Sequence, residues 1–168
     1  MVDAGTPFIG MLFTGFMISP SGSINVLEYN VRFGDPETQS LLALMSPTCD
    51  LAELFLACIE RRLDFATLSM QEEKAAVTVV LASGGYPESY KKGVEVSMPE
   101  ESETLEGVVV FHAGTTKTQG SKLVTSGGRV LGVTAVADNL RAAVDLAYKA
   151  VETISFEGKT FRKDIAHR

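Results

Sequence analysis

Leu27-Glu28-Tyr29-Asn30-Val31-Arg32-Phe33-Gly34-Asp35-Pro36-Glu37 is a β-type run that stops at a glycine and gives way to a helix start. In a strand, alternate side chains share a face. The run therefore sends Glu28, Asn30 and Arg32 to one side and Leu27, Tyr29 and Val31 to the other, where the apolar set can meet a core. Residues two apart on a strand are separated by about 6.5 to 7 Å at Cα. A carboxylate and an amide oxygen at that spacing can converge on one hard cation. Mg2+ prefers oxygen ligands, taking one or two from protein and the rest from phosphate and water. Arg32, one step on, can clamp a phosphoryl or carboxylate oxygen with two N–H groups. The plainer alternative is an edge strand whose polar face meets only water. Asp35 suits a helix N-cap, Pro36 the first helical position and Glu37 the positive helix start, which can also receive an anion.

Outward from this run, Pro7 to Ser19 and Ile24 to Arg32 read as two strands. Ser19-Pro20-Ser21-Gly22-Ser23, a tract of turn formers, joins them as a hairpin. The helix after Gly34 runs to about Met45, and Pro47 ends it. Asp50, with Glu53 three residues on, has the pattern of a capping box. Leu51, Leu54, Phe55, Cys58 and Ile59 then recur at helical spacing, which predicts one buried stripe. The polar stretch 65–74 is the expected boundary between an N-terminal part, 1–70, and a C-terminal lobe, 71–168. In the lobe, Ala75 to Ala82, Val108 to Phe111, Lys122 to Thr125 and Arg129 to Val136 read as strands, and Pro99 to Glu106 is a glutamate-rich loop. A last helix starts at Asp138 with Leu140, Ala143, Val144, Ala147, Val151 and Ile154 facing inward. A hairpin, two helices, several strands and one long helix make an α+β class rather than a βαβ alternation.

The chain has 168 residues and a formal net charge of −6. An acidic domain of this size is not expected to bind nucleic acid by bulk electrostatics. The longest apolar runs are too short to span a bilayer, so no membrane role is expected. Asp3 and the lack of a basic N-terminal region argue against a secretory signal. Cys49 and Cys58 sit in apolar runs without metal-ligand spacing, as reduced thiols of a cytosolic protein do. The expected location is the cytoplasm.

Ser126-Gly127-Gly128-Arg129 is a second candidate. Adjacent glycines let backbone N–H groups approach an anion, and Arg129 adds charge. A hairpin turn with an exposed arginine explains the same residues. His112, alone at a strand end, is given a structural role. Tyr86, Lys91 and Lys92 fit a solvated loop.

LEYNVRFGDPETQ resembles the signature of the phosphoribosylamine–glycine ligases, also called glycinamide ribonucleotide synthetases, which are ATP-grasp enzymes of purine synthesis. GTPFIGMLFTG, VTVVLASGGYP, YKKGVEV, VFHAGT, VTSGGRVLGVTA and FEGKTFRKDI resemble other segments of that family in the same order. The resemblance spans essentially the whole chain, and it corresponds to about the last two-fifths of the family's length. Two positions depart from the family pattern. Glu88 and Ala166 stand where the family tends to have glycine.

The resemblance implies a fold: the end of an ATP-grasp core, followed by a small β-rich lobe with one long helix. It implies that Glu28 and Asn30 hold the Mg2+ (or Mn2+) that bridges ATP phosphates, and that Arg32 stabilises the transferring group or the glycyl carboxylate. Asp35 is left with two roles, glycine's ammonium or the helix cap. Gly127, Gly128 and Arg129 are given the sugar phosphate. The implied substrates are glycine, 5-phosphoribosylamine and ATP. The domains that cover the nucleotide and bind substrate are expected in cis, in some eukaryotes within a fusion to further purine enzymes. The chain by itself is expected to be inactive. The rival reading is a non-catalytic module that docks on a partner supplying those domains.

Overall fold

The computed structural model describes residues 2–100 and 105–167, so part of the expected glutamate-rich loop, residues 101–104, lies outside the described residues. The chain forms two compact units, one of Met1–Thr38 with Met45–Met70 and one of Gln39–Leu44 with Gln71–Arg168. The expected division at 70/71 thus differs at one segment: residues 39–44 belong with the C-terminal unit.

In the first unit, β1 (Phe13–Ile18) and β2 (Ile24–Asn30) pair antiparallel. Both are shorter than expected. The turn between them closes through Ser19, whose N–H donates to the Ser23 carbonyl and whose Oγ accepts from the Ser23 N–H. Helix α1 (Glu37–Ala43) begins after Pro36 rather than with it, and the Thr38 N–H and Oγ1–H both reach the Gly34 carbonyl. Helix α2 (Leu51–Ile59) is capped by Asp50, whose side chain accepts from the Ala52 and Glu53 N–H groups. Glu53 does not close the capping box with its own carboxylate; it pairs with Arg62 at 2.6 Å. The buried stripe expected of α2 is also absent. Ala57 is its one buried residue among those described, while Phe55 and Ile59 are exposed. Leu27, Tyr29 and Val31 likewise meet no core and stand 61%, 62% and 69% exposed.

The second unit is built on a four-stranded antiparallel sheet in the order β4-β7-β3-β8. Its strands are β3 (Ala75–Ser83), β4 (Val108–His112), β7 (Arg129–Ala137) and the two-residue β8 (Lys159–Thr160). A separate ribbon pairs β5 (Thr115–Lys117) with β6 (Leu123–Thr125). The cross-strand pairs Val77↔Ala135, Val79↔Val133 and Leu81↔Leu131 put one set of side chains on one face. Helix α3 (Leu140–Glu152) covers that face with Ala143, Ala147, Ala150 and Val151, and Ile154 completes the core. Its cap is Asn139, not Asp138, and Asp138 pairs instead with Lys74. Leu140, expected to face inward, is half exposed because it lies at the open end of the helix.

The other sheet face carries Thr78, Thr134 and Gly132, and it is closed by residues 39–44. Ser40 Oγ lies 2.7 Å from Thr78 Oγ1, which lies 2.8 Å from Thr134 Oγ1. Gln39 Cγ reaches the open surface of Gly132. Covering both faces explains why β3 reads as a continuous apolar run and why 39–44 departs from its neighbours in sequence.

The Ser126-Gly127-Gly128 link is not a hairpin turn, since β6 and β7 lie in different sheets. It is a crossing point between backbones. The Ser126 and Gly127 N–H groups donate to the Gly114 carbonyl at 2.7 and 3.2 Å. Ser83 N–H donates to the Gly128 carbonyl and Ser83 Oγ to that of Gly127. A Cβ on Gly128 would come within 2.1 Å of Tyr86 Cδ2 and 3.0 Å of Tyr90 Cε1. Both rings therefore stand directly over this glycine.

Two stability comparisons follow, one between two glycines and one at Ala166. Gly128→Ala should cost about 1–3 kcal/mol by overpacking against Tyr86, whereas Gly120→Ala, with only Thr118 Oγ1 at 3.9 Å, should stay within about 0.5 kcal/mol of the parent. Ala166 has a φ of 55°, which costs an L-residue about 1–2 kcal/mol. Ala166→Gly should therefore raise the unfolding midpoint, the gain being trimmed by the roughly 0.4–1 kcal/mol that glycine adds to unfolded-chain entropy. Urea unfolding checks both, and a lowered midpoint for Ala166→Gly would contradict the second.

Candidate functional site

The pairing of β2 decides where its polar groups point. Gly15 lies opposite Glu28, Thr14 opposite Tyr29 and Phe13 opposite Asn30. Directly opposed residues share a face, so Glu28 and Asn30 project together on the side of Phe13 and Gly15. Glu28 lies across Gly15, for a Cβ built there would stand 3.4 Å from Glu28 Cγ. The register shifts between Gly15 and Phe16, which leaves Leu27 unpaired as a bulge. The polar alternation is thus set by the short stretch beyond the bulge.

Arg32 is off that row. β2 ends at Asn30, and Arg32 sits in the following bend, exposed, with Nη1 donating to the Phe33 carbonyl at 2.9 Å. The expected row of three is a row of two with a mobile-length side chain beside it. Asp35 is exposed. The helix start, expected to receive an anion, belongs to a helix of seven residues, too short to build a useful dipole.

Asn30 Nδ2 is buried without a hydrogen-bond partner. An unpaired buried amide group costs about 1–3 kcal/mol, and such an orphan marks a place where something else completes the bonding. Rotating the amide by 180° presents Oδ1 at the same position. One exposed carboxylate and one amide oxygen on the same face suit a hard cation that brings phosphate and water as its other ligands. Among the described residues no group of three or more His, Cys, Asp and Glu side chains forms a protein-only metal cage.

Glu37 is a residue the sequence reading assigned only to the helix start. Its Oε2 would lie 2.6 Å from a Cβ on Gly34, and Phe13 Cε2 would lie 3.1 Å from the same point. The Glu37 carboxylate therefore folds back over Gly34 toward the ring opposite Asn30. The signal available in the sequence was the three-residue step from Gly34 to Glu37 across a tight turn.

In the second unit, Arg129 Nε donates to Tyr86 Oη at 3.1 Å. The glycines before it are accounted for by close packing, and the Gly127 N–H is already committed to Gly114. Of this candidate cluster, Arg129 is the residue that carries a charge. His112 Nδ1 lies 2.9 Å from Thr115 Oγ1, bracing the end of β4. Tyr86, read as part of a solvated loop, is instead held against Gly128 and Arg129. Glu88 has no positive φ, so the glycine the family favours there is not demanded by the backbone, in contrast to Ala166.

No helix among the described residues is long and apolar enough to cross a membrane. Comparison with known proteins places these features in a family. The family described as "Phosphoribosylglycinamide synthetase, C domain" matches residues 76–168, and that described as "Phosphoribosylglycinamide synthetase, ATP-grasp (A) domain" matches residues 1–38. A bifunctional purine biosynthetic protein of Pichia angusta is 52% identical over 98% of this chain, which covers 20% of that protein. A phosphoribosylamine–glycine ligase of Synechocystis is 47% identical over 100% of this chain and 39% of its own length. The crystal structure of the phosphoribosylamine–glycine ligase from Thermotoga maritima superposes with a TM-score of 0.71 at 37% identity, over 91% of this chain and 36% of that one. The biotin carboxylase domain of Hydrogenobacter thermophilus 2-oxoglutarate carboxylase, at 16% identity and a TM-score of 0.61, shares the fold. The chain thus spans about a fifth to two-fifths of the length of these relatives. With an α+β architecture and both domain matches in order, the chain belongs to the phosphoribosylglycinamide synthetase family.

Proposed function

We propose that this chain supplies the metal-binding strand and the C-terminal lobe of a cytoplasmic, ATP-dependent carbon–nitrogen ligase. The reaction joins glycine to 5-phosphoribosylamine and yields glycinamide ribonucleotide, ADP and phosphate. The observation that carries this reading is the same-face pair of Glu28 and Asn30, with a buried amide group of Asn30 left unpaired.

Glu28 and Asn30 would hold Mg2+ or Mn2+ through one carboxylate and one amide oxygen. When bound, the metal neutralises the phosphate charge of ATP. Arg32 gives up the Phe33 carbonyl and turns its guanidinium to the phosphoryl group or to the glycine carboxylate that receives it. Asp35 accepts from the glycine ammonium. The glycyl phosphate formed in this way is attacked by the amine of phosphoribosylamine, and phosphate leaves as the amide forms. Arg129 holds the sugar phosphate, with Gly127 and Gly128 fixing its position by backbone packing. These residues position and neutralise charge, which is most of what phosphoryl transfer needs from protein.

The exposed apolar side chains of the hairpin, Phe16, Met17, Ile18, Ile24 and Val26 among them, support a requirement for further protein over the first unit. They suit missing domains in cis and a separate partner chain alike. Mixing this chain with the N-terminal domains as a separate polypeptide distinguishes the two: restored ligase activity supports a split enzyme.

In a full-length ligase carrying these residues, Glu28→Ala should lower kcat by about 100-fold or more, without rescue by raised Mg2+. Near-normal turnover would remove Glu28 from the metal role. The purified 168-residue chain should show no ATP turnover dependent on glycine and phosphoribosylamine. Measurable turnover would contradict the assignment of most of the nucleotide site to other domains.

A further inference from the structure

A cleft of about 390 Å3 opens in the second unit between the N-terminal part of α3 and the tail that follows β8. Its size falls at the lower end of the roughly 300–1,000 Å3 typical of small-molecule sites. The tail that forms one wall is fastened by side chains. Tyr148 Oη donates to the Arg162 carbonyl at 2.8 Å and accepts from the Ile165 N–H at 3.1 Å. The Tyr148 ring also stands against that of Phe161, with 6.2 Å between their centres. The His167 N–H donates to the Asp164 carbonyl at 3.3 Å and closes the far end of the turn. With its hydroxyl committed to the tail, Tyr148 offers the cleft its ring.

The rest of the lining divides by chemistry. Leu140, Val144 and Ile165 supply aliphatic surface, and Leu140 stands 47% exposed. Arg141, Lys163 and His167 supply nitrogen. Asp164 lines the cleft too, but its carboxylate accepts from Arg162 Nε at 2.7 Å and from Nη2 at 2.6 Å. Arg141 commits Nε to Asp145 at 3.2 Å, which leaves its two outer nitrogens without a partner among the described residues. Among the same residues the Lys163 ammonium has neither an ion pair nor a hydrogen bond. Arg141, Arg162 and Lys163 thus face only two carboxylates, Asp145 and Asp164. That local surplus of one positive charge, in a chain of net charge −6, matches a monoanion. The planar fork of an arginine matches a carboxylate in particular.

We infer that this cleft binds a small monocarboxylate with an apolar body. Lys163 and the outer nitrogens of Arg141 take the carboxylate, and the His167 imidazole donates to it from the rim. The apolar body lies over Leu140, Val144, Ile165 and the Tyr148 ring. None of these residues serves the metal, glycine or sugar-phosphate roles proposed above, so the inference stands or falls separately from them.

The test is an NMR titration of the isotope-labelled 168-residue chain with 3-phenylpropionate, its neutral counterpart 3-phenylpropanol, and acetate as separate probes. 3-Phenylpropionate should give saturable shifts confined to residues 140–148 and 161–167. The alcohol should bind about tenfold more weakly for want of charge-assisted hydrogen bonds, and acetate should not saturate for want of an apolar body. Lys163→Gln should weaken 3-phenylpropionate about fivefold and leave the alcohol unchanged. Leu140→Ala should weaken both about threefold. Both changes are at exposed positions, and unperturbed signals from β3 and β7 verify that each variant is folded. The inference is overturned if 3-phenylpropionate gives no saturable shifts there, or if the alcohol binds as tightly. It is equally overturned if acetate binds as tightly, which would mark exposed cations only, or if either variant binds 3-phenylpropionate as the parent does.

Discussion

The pairing of Phe13 with Asn30 and of Gly15 with Glu28 is the contact on which the proposed metal role of the first unit depends. It fixes the carboxylate and the amide on one face without help from any other element. The bulge at Leu27 makes this a local property. On the far side of the bulge the strand follows a different phase, so only the last three residues of β2 need hold their register for the two oxygens to stay together. A strand whose Leu27 and Tyr29 stand 61% and 62% exposed is not held by its own core. The face carrying Glu28 and Asn30 is therefore built on a hairpin with little core of its own.

The second unit is held differently. Both faces of its sheet are occupied, one by the alanine-rich side of α3 and one by residues 39–44. The hydroxyl chain from Ser40 through Thr78 to Thr134 satisfies polar groups that would otherwise be stranded on a buried face. It also places the continuation of the signature segment, just after Glu37 and Thr38, on the lobe that carries Tyr86 and Arg129. One stretch of chain thus contributes to both units.

Much of this was legible in the residues. The β-branched runs of β3 and β7 and the 3.6-residue repeat of α3 identify themselves because tertiary packing agrees with local pattern. Glu28 and Asn30 were legible for the same reason, since alternation needs only two residues of strand. Other features were not. The stripe of α2 promised burial that the described chain does not supply, because periodicity says which face is apolar and not what covers it. β5 and β8 lack hydrophobic alternation and exist through their partners alone. Ser126-Gly127-Gly128 has hairpin chemistry but serves a crossing of two backbones, and the reason is Gly114, outside the local turn. The bond between Tyr86 and Arg129 spans 43 residues, so no local pattern could announce it. Arg32 fell outside the row because the strand stops at Asn30, and strand ends are set by pairing rather than by composition.

The central claim is that the side chains of residues 28 and 30 jointly meet the metal carried by the nucleotide. Paramagnetic relaxation by Mn2+ bound with ADP, measured on a full-length ligase carrying these residues, tests it directly. Line broadening centred on the Glu28 and Asn30 side chains, and lost from Asn30 when Glu28 is changed to Ala, is the predicted result. Broadening centred elsewhere, with both side chains sharp at saturating Mn2+ and ADP, would contradict it.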